Sequence, residues 1–70
     1  MDRRTAAEVV PMLVRAAQEI SDTVHVYSRH ATESEVRPYS DTTGNVVLSI
    51  YDILRKIVAE HPDLDPGGFS

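Results

Sequence analysis

The side chains best suited to metal binding or proton transfer here are three histidines and eleven carboxylates, so the first question is whether their spacing makes them converge. His25 and His30 stand five residues apart. On a helix that separation turns two imidazoles away from one another, whereas a separation of four aims both at one ion. His30 and Glu33 are better spaced, but two ligands make an incomplete site, and an ion pair on a solvated face accounts for them equally well. Only a second copy across a symmetry axis could complete a set from His25, His30 and Glu33.

Nucleophilic and phosphate chemistry fare no better. Ser28, Ser34, Ser40 and Ser49 offer hydroxyls, yet none lies in a G-x-S-x-G turn. The stretch DTTGN has a single glycine and lacks the G-x-x-x-x-G-K-[ST] framework that aims several amides and a lysine at phosphate, so it reads as a helix cap. No assembled acid, base or nucleophile is in sight, and the expectation is a non-enzymatic protein without catalytic, cofactor or metal residues. Arg3, Arg4 and Arg15 could form a small basic end, the basis of an alternative reading as a nucleic-acid-associated regulator. Seven basic against eleven acidic residues leave a net charge of −4, which gives no general attraction to a nucleic-acid backbone.

These residues must be positioned by a small scaffold. Seventy residues make one domain whose surface is large for its volume, and such chains ordinarily need a supplement to the core. There is no cysteine, so disulfides and thiolate metal sites are excluded, and oligomerisation is the supplement that remains. No apolar run approaches the ~20 residues of a membrane span, and MDRRTAAEVVPML lacks the apolar stretch of a signal peptide. The default reading is a soluble cytoplasmic protein.

Two helices are predicted. Thr5 and Glu8 have the T-x-x-E spacing of a capping box, while Pro11 either kinks the helix or starts it. From Val10, the residues Leu13, Ala17, Ile20, Val24, Tyr27, Ala31 and Ser34 follow at alternating intervals of three and four, a heptad seam. The opposite side carries charges of both signs, with Arg15 and Glu19, and Arg29 and Glu33, four apart. TVHVY at 23–27 could be argued as a strand, but the seam continues on both sides and favours helix. Pro38 places a turn at about 35–41, with Asp41, Thr42 or Thr43 capping a second helix from about 42 to 61, where Pro62 stops it. In that helix Val46, Val47, Ile50, Tyr51, Ile53, Leu54, Ile57 and Val58 fall within an arc of roughly 160°, wider than one neighbouring helix can cover. Residues 62–70 read as a flexible tail in which Leu64 and Phe69 are either idle or weakly packed, or are docking contacts against the folded surface.

The expected fold is therefore all-α: an antiparallel helical hairpin with its first helix about 5–34 and longer than the second, dimerising into a four-helix bundle. The expected function is a protein-protein interaction module, an adaptor, regulator or chaperone-like protein whose partner is itself or another protein. Its interface would draw on the apolar arc of the second helix together with Leu13, Ile20 and Tyr27. Val46, Ile53 and Ile57 would form one side, Tyr51 and Val58 the other, and Met12 an adaptable edge. Tyr39 in the turn would pack over the helix ends or anchor a partner.

Overall fold

The computed structural model describes residues 1–69, and it is a helical hairpin: α1 (Arg3–Ser28), α2 (Glu33–Glu60) and a single 3-10 turn at Pro62–Leu64. No strand occurs among the described residues, and 23–27 is helical. The helices have 26 and 28 residues, so the second is the longer, contrary to expectation.

The difference comes from where the chain turns. It reverses at 29–32, and the segment 35–41 is helical. Thr32 caps α2: its hydroxyl accepts the Glu35 amide at 3.3 Å while the Glu35 carboxylate accepts the Thr32 N–H at 3.4 Å. This capping box has the same T-x-x-E spacing that Thr5 and Glu8 display, and there the cap is Asp2, whose carboxylate accepts the Thr5 amide at 2.8 Å. Pro38 therefore lies inside α2, where its missing N–H leaves the Ser34 carbonyl without an intrahelical donor. Both residues are exposed, so water can take that place. Pro11 likewise sits within an unbroken α1, with Pro11 and Ala7 both exposed. Tyr39, next to Pro38, holds the turn end to α1. Its ring centroid lies 4.7 Å from that of Tyr27, and its hydroxyl donates to Thr23 Oγ1 at 2.7 Å.

Burial is thin. Ala6, Val10 and Ala17 from α1 and Leu54, Ile57 and Val58 from α2 are buried, and none of the described polar residues is. Four of these six, Ala6, Val10, Leu54 and Ile57, form one cluster at the open end of the hairpin. Leu54 and Val58 are fully enclosed, each worth about 1.5–3 kcal/mol on transfer grounds.

The tail completes this end: of the two expectations for Leu64 and Phe69, idle or docked, the contacts are those of docking; Ser70 lies outside the described residues. Leu64 and Phe69 pack against the cluster, and the Phe69 ring meets Tyr51 edge-on at 5.3 Å. The path is built from local polar contacts. Asp65 accepts the amides of Gly67 at 2.9 Å and Phe69 at 3.1 Å, and Gly68, at a φ of +80°, takes a conformation that side chains disfavour. Across the ends, Arg3 Nε donates to Asp63 at 2.8 Å, His61 Nε2 donates to the Met1 carbonyl at 2.8 Å, and the N-terminal ammonium lies 3.5 Å from Glu60.

Two outcomes are expected. Thr32→Ala should lower stability by about 1 kcal/mol in urea denaturation, because the hydroxyl's bonds to the Glu35 amide and carboxylate are lost. The second concerns acid. The Arg3 guanidinium holds the Asp63 carboxyl below its ordinary value of 3.8, so Asp63 stabilises the fold above that value and the contribution is lost as pH falls through the lower native one. Asp63→Asn should thus be less stable than the parent at pH 7, with the gap closing as pH falls through the lowered native value; a gap independent of pH would show the pair to be inert.

Candidate functional site

The residues singled out for chemistry are kept apart by the fold. His25 lies beside Ser21, Asp41 and Gly44 along an open groove of about 540 Å³, whereas His30 lines a different groove of about 470 Å³ with Tyr27 and Tyr39. Glu33 pairs instead with Arg37, at 3.4 Å. Among the described residues no three histidine or carboxylate side chains stand close enough to hold a metal ion. The basic end is also divided: Arg3 is engaged by Asp63, and Arg15 lies twelve residues further along α1, about 18 Å away at the helical rise. The expected pairs Arg15–Glu19 and Arg29–Glu33 do not form, and both arginines are exposed. No described helix is long and apolar enough to cross a membrane.

What the hairpin does present is an apolar flank. Tyr39, in contact with Tyr27 and Thr23, marks the side of the hairpin to which it belongs. Steps of seven residues keep nearly the same side of a helix, drifting only ~20° each. From Tyr39 such steps reach Val46 and Ile53; from Tyr27 they reach Ile20 and Leu13; from Thr23 they reach Ala16 and Val9. These three ladders, with Ile50 between two rungs and Met12 at the edge, form an apolar strip that Glu19 and Asp22 border, since both line the groove beside Tyr27 and Tyr39. Met12, Val46 and Ile53 remain 58%, 43% and 47% exposed.

The predicted interface residues thus divide. Val46 and Ile53 are exposed on this flank, Leu13, Ile20 and Ile50 are half-buried along it, and Tyr27 closes its turn end. Leu54, Ile57 and Val58 are not available to a partner, because they meet α1 in the core. Tyr51 is half-buried, on the opposite side, and occupied by Phe69. The arc of the second helix is broad because it serves α1, the chain's own tail and one open side together.

The opposite flank holds what the sequence reading missed. Leu48 is 56% exposed and borders the His25 groove, one turn from Gly44. Its position outside the apolar arc hid it; a glycine four residues before a leucine was the available signal. A Cβ at Gly44 would meet nothing within 4 Å, so this glycine serves no close approach within the hairpin.

Comparison with protein-family models, with characterised proteins and with solved structures gives no match.

Gly44→Ala is expected to stabilise the protein by about 0.5–1 kcal/mol, since it improves a helix interior without a clash. Denaturation midpoints measure this, and a loss of stability would mean that something in solution occupies the notch.

Proposed function

We propose that this protein is a non-enzymatic interaction module of the cytoplasm, an adaptor or regulator that works as a homodimer through the flank bearing Met12, Val46 and Ile53. The observation that carries this reading is the composition of that flank. Single exposed apolar residues are ordinary on protein surfaces, but an apolar strip along both helices, with charges such as Glu19 and Asp22 at its rim, is what interfaces look like before they are covered. The thin core supports it too. Two helices side by side form one layer, and a layer with six buried residues, two of them alanine, gains much by packing against a second. Two hairpins joined through the flank would make a four-helix bundle.

The test is association of point variants. Ile53→Asp is expected to raise the dimer dissociation constant at least tenfold, about 1.4 kcal/mol, without loss of helix content because Ile53 is half exposed in the hairpin. Leu48→Asp, on the other flank, should leave association unchanged. Light scattering across a dilution series measures both. If Ile53→Asp behaved like the parent, the flank would not be the working surface.

A further inference from the structure

We infer that the segment 62–69 is a displaceable strap, and that the apolar site it covers at the open end of the hairpin is a second binding surface. The site fits a segment of another protein that carries an acidic residue, then a leucine-like side chain, then an aromatic one beyond a turn. It centres on Tyr51, on the side away from Val46 and Ile53, and so does not depend on the homodimer.

The strap is shaped largely by its own residues. The carbonyls of His61 and Pro62 accept the amides of Leu64 at 3.0 Å and Asp65 at 3.3 Å, and the Asp65 carboxylate accepts those of Gly67 and Phe69. Gly67 and Gly68, at φ of +140° and +80°, turn the chain where a side chain would be strained. Pro62 and Pro66 fix two further φ angles. A segment turned by local bonds has little freedom left to lose when it docks, which is the property of a preorganised ligand.

Its contacts with the helices are also those of a ligand. Asp63 accepts from Arg3 Nε at 2.8 Å, Leu64 and Phe69 pack against the cluster of Ala6, Val10, Leu54 and Ile57, and the Phe69 ring stands edge-on to Tyr51. One charged contact sets the register and two apolar anchors supply the burial. These contacts are not sealed. The Arg3 and Asp63 side chains stay 61% and 54% exposed, and Leu64, Phe69 and Tyr51 are half-buried. An exposed ion pair adds little, and elements held by few buried contacts open far more readily than a core. At the turn end the helices are joined by Tyr39 with Tyr27 and Thr23, contacts in which the strap has no part. Lifting the strap leaves Arg3 without the Asp63 carboxylate, beside an uncovered aromatic ring. Charge complementarity then calls for an acidic, apolar segment in its place.

The probe is a fluorescein-labelled peptide of the strap itself, HPDLDPGGF. The receptor is the full chain with the strap lifted in either of two ways: Leu64→Ser with Phe69→Ser, which removes the anchors, or Gly68→Val, which strains the turn. Fluorescence anisotropy should show saturable binding to both variants. The parent should bind at least about tenfold more weakly, because its tethered strap competes at an effective concentration of about a millimolar. Phe69→Ser in the peptide should weaken binding at least about tenfold. Asp63→Asn in the peptide, or Arg3→Gln in the protein, should weaken it about threefold at low salt and less at high salt. Ile53→Asp should leave it unchanged, and a parent that is monomeric by light scattering would overturn the homodimer while leaving this site standing. Absence of binding to both variants, equal binding of the Phe69→Ser peptide, or loss of helix content in both variants would each overturn the inference, the last because the strap would then be part of the core.

Discussion

Two helices lying side by side can bury only the strip along which they touch, and everything else about this hairpin follows from how it copes with that. Most of its enclosed volume is gathered at the open end, where Ala6 and Val10 meet Leu54 and Ile57 and where Leu64 and Phe69 fold over as a partial second layer. Towards the turn nothing comparable covers the helices. Ala17 is the only buried residue of α1 beyond Val10, and Ile20, Val24 and Val47 are half-buried. The described tail residues pack at the open end, and the flank from Met12 to Tyr39 is left uncovered within the hairpin.

The turn shows how local and tertiary terms compete. A proline six residues into a helix removes one hydrogen bond and crowds the preceding turn, and on propensity alone the helix should begin after it. Here the reciprocal bonds of Thr32 and Glu35 start the helix earlier, and Tyr39 is then placed where its ring meets Tyr27 and its hydroxyl meets Thr23. A start at 42 would forfeit both contacts. The early start also sets the register, because Tyr39 aligned with Tyr27 places Val46 and Ile53 on the same side as Ile20 and Leu13.

Several of the polar side chains serve the scaffold itself. His25 and His30 line separate grooves, and three of the carboxylates are caps or end clamps: Asp2 on the first turn of α1, Asp63 on Arg3, and Asp65 on the amides of the tail. In each case the carboxylate orders backbone or joins two ends of the chain. The two flanks differ in kind: one an apolar strip bordered by Glu19 and Asp22, the other a groove mixing Ser21, His25, Asp41 and Leu48.

The sequence by itself determined the class of fold, because the three-four spacing from Val10 to Tyr27 and the apolar residues from Val46 to Val58 admit only amphipathic helices, and Pro62 marks the end of the second. The start of α2 is also written in the spacing of Thr32 and Glu35, although Pro38 alone points to a later one. What only the tertiary structure decided was the division of the apolar arc. Leu54, Ile57 and Val58 go to the core, Tyr51 to the tail, and Val46 and Ile53 to solvent. Periodicity reports that a side chain is on the apolar side of its helix, but not which of several neighbours will cover it. That depends on the register between the helices and on where Phe69 lands, both set by contacts between residues far apart in the chain.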